Sequence, residues 1–158
     1  MNNSKKLLVL HEGVVPYAYQ DSLGYWTIGV GHLIDRRKGG RLSEFIIWQL
    51  LDSDYAEVEA DLDRVLPWAR DLDPVRRHVL IDMGFNLGIT GLLGFQNTLA
   101  AVKDRRWEDA SKGMLASRWA SQVGRRSVRL AEMMRTGTWP AVLNSPAAPD
   151  PTMIPSGK

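Results

Sequence analysis

Three side chains near the amino terminus carry groups that could act on one bond. Glu12 precedes a glycine, Asp21 follows nine residues later, and Thr27 comes six residues after that. We expect Glu12 at the end of a helix and the other two on a hairpin, so that both carboxyls face one cleft. Hydrolysis of a glycosidic bond needs two such carboxyls, one as an acid and one acting on the sugar or its attacking water. The hydroxyl of Thr27 would hold that water.

The same residues also fit structural roles. A glutamate at a helix end and an aspartate in a turn are ordinary occupants of those positions. The chain has 18 acidic residues, so many pairs of them would satisfy some spacing. The pattern alone leaves both interpretations open and favours the structural one.

The elements that would position this set follow from the apolar pattern. Residues 3–11 indicate a short helix, which Gly13 and Pro16 end. Between Tyr17 and His32, aromatic and apolar residues alternate with small or polar ones on both sides of the segment 21–24. This alternation predicts a β-hairpin with a four-residue turn.

A long amphipathic helix is expected at 43–66. Ser43 is a residue type that caps helices, apolar residues recur at intervals of three and four from Ile46 to Val65, and Pro67 ends the pattern. This helix is long enough to connect two lobes.

Shorter helices are expected in the second half. Asp73 as a cap and Pro74 as the first residue would start one of them. We expect the glycines at 84, 88, 91 and 94 to divide the chain there into short helical pieces. Further helices are predicted at 98–103, 107–116 and 125–135.

The composition is that of a globular chain. Hydrophobic residues make up 44% of the 158 residues and charged residues 24%, which is unlike a disordered or fibrous chain. Apolar runs reach four residues, against the roughly 20 of a membrane span, so we expect no membrane insertion. Lys5 and Lys6 imitate the start of a signal peptide, but His11 and Glu12 interrupt the apolar run. We therefore expect the protein to stay in the cytoplasm until it is released.

Metal and thiol chemistry are not expected. The chain has no cysteine, which excludes disulfides and thiol nucleophiles. The spacing of His11, His32 and His78 does not suggest a zinc site. We therefore expect no metal and no cofactor.

The charge is unevenly distributed along the chain. The net charge is +2, but residues 41–63 carry one basic and seven acidic side chains, a sum of −6, and residues 103–135 carry nine basic and four acidic ones, a sum of +5. The basic segment would attract an anionic polymer, with a strength that falls as salt rises. Solvated helix faces would explain both segments equally well.

Two stretches near the amino terminus, HEG and YQDSLGYWTIGVGH, resemble the catalytic region of the phage-type lysozymes, glycoside hydrolase family 24, in the form of the T-even bacteriophages. The family pattern is a glutamate, eight residues, an aspartate, five residues and a threonine in TIGxGH. Glu12, Asp21 and Thr27 meet it without insertion. The resemblance resumes in LDPVRRHVLIDMGFNLGITGLLGFQNT, RRWEDA, SRW and MRTGTW, and it covers nearly all of residues 5–139.

The resemblance implies a fold class and a domain organisation. The fold would be α+β and mainly α: a single lysozyme domain, 1–144, in two lobes. The small β lobe would span about 12–42, the connecting helix 43–66, and the helical lobe 67–144 together with helix 3–11. Residues 145–158, which are rich in proline, would form a flexible tail.

The resemblance also implies roles for the three residues. Glu12 would be the general acid toward the glycosidic oxygen, which requires a raised pKa. Asp21 would hold or activate the water, and Thr27 would orient it from the other side. The family mostly inverts configuration, so inversion is expected.

Substrate-binding residues are expected on both lobes. The resemblance assigns this role to the following side chains and main chain: Gly31, His32, Leu33, Phe85, Asn86, Phe95, Gln96 and Asn97. Trp26, beside Thr27, is a candidate for stacking on a sugar, and packing under the hairpin is an equally open alternative. Trp107, Trp119 and Trp139 are expected to pack in the core instead.

Two supporting ion pairs are implied. Arg126 falls where the family has an arginine that pairs with the catalytic glutamate across the lobes, and such a cation would lower the pKa of Glu12. His32 corresponds to a histidine that pairs with an aspartate of the connecting helix, here Asp54, with Asp52 as the alternative. His11 and His78 are expected to be incidental.

The chain departs from the T-even form at one place. About ten residues separate His32 from Ser43, where that form carries an extra helix and loop. The small lobe is therefore shortened, and Arg36, Arg37 and Lys38 would rebuild part of the cleft wall.

The function implied by the resemblance is that of an endolysin. It would be a muramidase that hydrolyses the β-1,4 bond between N-acetylmuramic acid and N-acetylglucosamine in bacterial peptidoglycan, for host cell lysis. A monomer would wait in the host cytoplasm until a holin opens the membrane.

Two rivals belong to other classes. One is a catalytically inactive peptidoglycan-binding or tail-associated component of the same fold, against which the complete set of Glu12, Asp21 and Thr27 argues. The other is a nucleic-acid binder that uses the helix at 125–135. No recognition motif accompanies that helix, so we expect no nucleic-acid partner.

Overall fold

The computed structural model describes residues 3–20, 22–34 and 42–141, without the side chains of Asn3, Ser4, Leu8, Glu12 and Glu44. Arg36, Arg37 and Lys38, which are predicted to rebuild the cleft wall, and the predicted tail at 145–158 lie outside the described residues.

Seven α-helices and three strands are formed by the described residues. In chain order they are α1 (Asn3–Glu12), β1 (Val15–Gln20), β2 (Trp26–Gly29), β3 (His32–Leu33), α2 (Glu44–Val65), a 3₁₀ helix (Pro67–Asp71), α3 (Pro74–Leu93), α4 (Gln96–Lys103), α5 (Trp107–Leu115), α6 (Arg118–Val123) and α7 (Arg125–Thr136). The fold is α+β and mainly helical, which confirms the predicted fold class.

The strands form one antiparallel sheet in the order β1-β2-β3. Tyr19 lies opposite Thr27, and Thr27 lies opposite Leu33 on the other side. The predicted hairpin is therefore present, and Thr27 occupies the central strand. The third strand was not predicted, because two residues are too few to show an alternating pattern.

Helix α2 begins and ends one residue inside its predicted limits of 43–66. The backbone oxygen of Ser43 accepts a hydrogen bond from Ile47 N at 3.1 Å, which is the first turn of the helix. Pro67 has no N–H to continue the ladder, and the chain passes there into the 3₁₀ helix.

Helix α3 begins as the sequence predicts. Asp73 is its N-cap, and the side-chain oxygen accepts from the backbone N–H groups of Val75 and Arg76. Four glycines are predicted to divide this region, and two of them do: Gly88 breaks the helical geometry and Gly94 follows the last residue of α3, whereas Gly84 and Gly91 do not interrupt it. The helix runs for 20 residues and departs from helical geometry at Gly88, with φ 71° and ψ 160°. Gly84 and Gly91 lie inside it, because tertiary packing outweighs the weak helix propensity of glycine.

Three further helices lie close to their predicted positions, and α6 was not predicted. Six residues hold less than two turns, too few for an apolar period to appear in the sequence. The serine that starts α6, Ser117, accepts from Ala120 N at 3.1 Å, which is a capping signal that the sequence does carry.

The chain divides into two compact units, 1–53 and 54–158. Every hydrophobic residue of the described core belongs to the second unit, from Leu62 in α2 to Met134 in α7. The first unit holds the sheet. The predicted domain limits, including the assignment of helix 3–11 to the helical lobe, stay predictions.

No single helix within the described ranges is long and apolar enough to cross a membrane. Helices α3 and α4 together have the length and apolar composition of a span, but they are bent by 105° at the break between them. Both contribute buried side chains to the core.

Candidate active site

Thr27 is fixed at the centre of the small sheet. Its side chain is 5% exposed, and its hydroxyl donates to the backbone oxygen of Tyr25 at 3.3 Å. A hydroxyl that donates its hydrogen in this way keeps its lone pairs for a second partner. Thr27 can therefore accept a hydrogen bond from a water molecule.

The two predicted catalytic carboxyls fall outside what the structure describes. Glu12 is the last residue of α1. Its backbone is described, but its side chain is not. Asp21 is outside the described residues altogether. Their predicted roles stay predictions.

Three of the predicted substrate-binding residues lie in the sheet or in the turn beside it. Gly31, with φ 62°, is in the turn after β2, where a positive φ suits glycine. His32 and Leu33 form β3, opposite Ile28 and Thr27, and both side chains are exposed. They are accessible for binding, as the prediction requires.

The other five predicted substrate-binding residues lie on two segments of the second unit. Phe85 and Asn86 belong to α3, one exposed and one half-buried. Phe95 precedes α4 and is half-buried, and Gln96 and Asn97 begin that helix and are exposed.

A buried tryptophan connects these two segments. The indole Nε1 of Trp119 donates to Asn86 Oδ1 at 2.8 Å. Phe95 makes a T-shaped contact with the same ring, with the ring centroids 6.0 Å apart. The sequence predicts only core packing for Trp119, because a helical pattern indicates that a tryptophan is buried but does not identify the partner of its N–H.

Phe85 also borders an acidic hollow of about 290 Å³. Helix α2 provides Asp54, Glu57 and Asp61 on one side, and α3 provides Phe85 and Gly88 on the other. Asp61 is paired with an arginine of its own helix, Arg64, at 2.6 Å. Asp54, the predicted partner of His32, therefore lies at the wall of this hollow.

Arg126 has a partner that the sequence analysis did not predict. Its Nε donates to Asp82 Oδ1 at 2.8 Å and its Nη2 to the backbone oxygen of Asp82 at 3.2 Å. An arginine and an aspartate 44 residues apart leave no pairing signal in one sequence. The predicted pairs, Arg126 with Glu12 and His32 with Asp54, would each join the two units and stay predictions.

His78 lies in an aromatic and acidic environment. Its ring stacks on Tyr55 at 6.3 Å and meets Trp139 at 5.1 Å, and Nε2 is 4.0 Å from Asp82 Oδ2. Burial raises the pKa of Tyr55, and the neighbouring Glu59 adds to that rise.

The three tryptophans that were predicted to pack in the core differ in burial. Trp119 is 4% exposed, and Trp107 is half-buried beneath the Arg76 guanidinium at 4.1 Å. Trp139 is 48% exposed, so the prediction of core packing is wrong for it. It follows the end of α7 and lies against the ring of His78. Trp26, the predicted stacking residue, is 47% exposed.

Within the described part of the chain, no group of three or more histidine, aspartate or glutamate side chains is placed to hold a metal ion.

Comparisons with known proteins agree with this architecture. The sequence model of the phage lysozyme family matches residues 9–135. A probable T4-type lysozyme 1 of Dictyostelium discoideum is 30% identical over 164 residues, covering 87% of this chain and 96% of that protein. The pre-baseplate central spike protein Gp5 of Enterobacteria phage T4 is 27% identical, covering 84% of this chain but 27% of that protein. The peptidoglycan hydrolase gp36 of Pseudomonas phage phiKMV is 26% identical, covering 84% of this chain and 15% of that protein.

A small antiparallel sheet, a long helix and a helical unit, in a sequence with these relatives, define a glycoside hydrolase of the lysozyme type. The chain belongs to the phage lysozyme family. Its activity is lysozyme-type hydrolysis of peptidoglycan, as the sequence analysis expected.

Proposed function

We propose that this enzyme is a muramidase that cleaves the β-1,4 bond between N-acetylmuramic acid and N-acetylglucosamine. Glu12 gives a proton to the bridging oxygen as its bond to the anomeric carbon breaks. A water held by Asp21 and Thr27 attacks that carbon from the opposite face and gives its own proton to the Asp21 carboxylate. The products are a free hydroxyl on one sugar and a reducing end of inverted configuration on the other.

The observation that supports this proposal is the hydrogen bonding of Thr27. Its hydroxyl hydrogen is directed at the Tyr25 carbonyl, so a water beside Oγ1 must donate to it. That water then turns a lone pair outward, which is the orientation that an attacking water needs. Burial of the side chain holds this direction.

The acid role of Glu12 depends on its proton. A glutamate has an ordinary pKa near 4.3, so a general acid must have a raised pKa to be protonated near neutral pH. Arg126 would oppose that rise if it pairs with Glu12. Asp82 balances part of the arginine charge, which would weaken this opposing effect.

The substitution Glu12→Gln tests the acid role, because it keeps the shape of the side chain and removes the transferable proton. We expect the rate of clearing of purified peptidoglycan to fall by at least about a hundredfold. Glu108→Gln is the matched control: Glu108 is an exposed residue of α5 that pairs with Lys112, and its substitution should leave clearing unchanged. Undiminished clearing by Glu12→Gln would remove Glu12 from the mechanism.

The products test the bond and the stereochemistry. Mass spectrometry of reduced products should show N-acetylmuramic acid at the new reducing end, and N-acetylglucosamine there would contradict a muramidase. Proton NMR during the first turnovers should show the α-anomer first. The β-anomer appearing first would establish retention.

The biological role that we propose is host lysis, with the enzyme waiting in the host cytoplasm for a holin. Expression in a bacterial host should cause lysis only when a holin is co-expressed, and lysis without one would contradict this route. The similarity to the central spike protein Gp5 favours a second candidate, a wall-digesting part of a phage particle. Detection of the chain in purified particles would support that candidate.

A further inference from the structure

The contacts of Trp119 give it a second role besides packing. The residue is 4% exposed, its N–H binds Asn86, and its ring makes a T-shaped contact with Phe95 at an interplanar angle of 89°. Asn86 and Phe95 belong to the two segments that are predicted to bind glycan. One buried side chain therefore holds a residue of each segment.

The bond to Asn86 has a direction that fixes the amide. An indole nitrogen can only donate a hydrogen bond, whereas an asparagine amide has an acceptor oxygen at one end and two donors at the other. The end that faces Trp119 must therefore be Oδ1. The two N–H groups of Nδ2 are left for another partner, so Asn86 can offer a ligand two donors.

The position of Trp119 is itself secured by α6 and α7. Ser117 caps α6 through Ala120 N. From α7, the hydroxyl of Ser127 contacts the backbone oxygens of Ala120 and Gly124 at 3.3 and 2.7 Å. Because the indole is buried, little water reaches it to compete for the bond to Asn86.

We propose that Trp119 is a positioning residue for glycan binding. By holding Oδ1 of Asn86, it aims the Nδ2 donors at an oxygen acceptor of the substrate, the acetamido carbonyl of an N-acetylated sugar. This proposal rests on the proposed muramidase function, and it gives one reason for selecting N-acetylated glycan. A sugar with a free amino group presents a donor where Asn86 needs an acceptor.

Two substitutions separate the parts of this arrangement. Trp119→Phe keeps an aromatic ring and removes the N–H, which frees the amide to turn. Asn86→Asp keeps an acceptor for the indole and removes the donors to the glycan. Trp107→Phe is the matched control, since Trp107 is a half-buried tryptophan of the same unit that contacts Arg76.

The probe is soluble, uncross-linked peptidoglycan strands, assayed for reducing ends well below the melting temperature of each variant. For Trp119→Phe and for Asn86→Asp we expect KM to rise about threefold to tenfold, the effect of one hydrogen bond, with kcat nearly unchanged. The double variant should have the KM of Asn86→Asp alone, because Trp119 acts through the amide. On partly de-N-acetylated strands, the preference of the wild type for N-acetylated sugar should shrink in Asn86→Asp.

Several results would overturn the proposal. An unchanged KM in Trp119→Phe, with only a lower melting temperature, would leave Trp119 a structural role. Fully additive effects in the double variant would show that it does not act through Asn86. If Trp119→Phe does not fold, NMR of the wild type replaces it: the side-chain NH₂ signals of Asn86 should shift when strands are added, and their failure to shift refutes the proposal. A wild type that releases no reducing ends would instead refute the muramidase function.

Discussion

The side chain of Thr27 shows how the surrounding residues fix the orientation of one hydroxyl group. It lies on the central strand between Tyr19 and Leu33, and its hydroxyl is tied to the Tyr25 carbonyl. A threonine on an edge strand or in a turn would be free to rotate to suit solvent. Here the strand pairing and the burial leave the hydroxyl one useful role, as an acceptor.

Substitution of Thr27 separates this role from packing. Thr27→Val keeps the volume and removes the hydroxyl, so peptidoglycan clearing should fall about tenfold to a hundredfold because the water is no longer positioned. Its unfolding free energy should change by no more than about 1 kcal/mol, since the bond to Tyr25 is long. Thr27→Ser, which keeps the hydroxyl, is the control and should retain most activity. Equal activity of the valine and serine variants would exclude a role for the hydroxyl.

Helices α2 and α3 are joined by a branched ion pair. The guanidinium of Arg77 binds Asp63 at 2.7 Å and Glu59 at 3.0 Å, and Arg70 binds the other oxygen of Asp63 at 2.8 Å. The hydrogen bonds from Arg77 and then from Arg70 hold the pKa of Asp63 below its ordinary value of 3.8. The hydrogen bonds to Asp63 and Glu59 raise the pKa of Arg77.

This pair makes stability depend on pH in a definite direction. The folded pKa of Asp63 is lowered, so its contribution is present above the unfolded pKa near 3.8 and is lost as the pH falls through the lower, folded value. Asp63→Asn should lose about 1–2 kcal/mol of unfolding free energy at pH 7. In urea titrations the difference from wild type should shrink steadily below pH 3.8. A difference that stays constant down to pH 2 would contradict a charge effect.

Helices α3 and α7 are joined by Arg76. Its Nε and Nη2 donate to the backbone oxygens of Met134 and Arg135 at 2.8 and 3.0 Å, and Nη1 pairs with Asp73 at 2.8 Å. These oxygens belong to the last turn of α7 and have no partner within the helix. Burial acts to raise the pKa of Asp73, but hydrogen bonds from Arg76 outweigh it and the pKa is lowered.

Arg76→Lys tests whether the shape of the guanidinium matters as well as its charge. A lysine cannot reach both carbonyls and Asp73 at once, so we expect a loss of about 1–2 kcal/mol in urea unfolding, mainly from the unmet, partly buried oxygen of Met134. Arg64→Lys is the matched control, because Arg64 makes an exposed pair within α2 and should change stability by less than about 0.5 kcal/mol. Equal losses of unfolding free energy in the two variants would show that the charge of Arg76 matters and the shape of its guanidinium does not.

The elements could be predicted where the sequence carries a local signal. Asp73 before Pro74 predicted the start of α3, and the apolar period to Val65 predicted α2 to within one residue at each end. The kink at Gly88 could not be located, because several glycines share the same local propensity and tertiary packing decides which of them stay helical. The same applies to β3 and α6, which are too short to show a period.

At the scale of the whole molecule, the predictable part of the site is the choice of residues and not their contacts. A motif names Asn86 and Phe95 as glycan contacts, but only the fold shows that Trp119 holds both. Likewise, the family position of Arg126 does not reveal Asp82. Such contacts join residues that are dozens of positions apart, and a single sequence contains no local pattern that predicts them.

The two units differ in how their described side chains are buried, and this should appear in their dynamics. The hydrophobic core extends from Leu62 to Met134 in the second unit, whereas Thr27 is the one buried residue among those described in the first. Regions with few buried apolar contacts open locally at a lower free energy than the global unfolding. In native-state hydrogen exchange, the amides at the buried positions Val79, Leu80 and Met83 of α3 should therefore be the slowest, and those paired between β1 and β2 should exchange at least about tenfold faster. As urea increases, the α3 amides should come to exchange through one common opening, the global unfolding. The sheet amides should continue to exchange through a local opening of lower free energy. Equal protection of sheet and helix amides at every urea concentration would show that the first unit unfolds only together with the second.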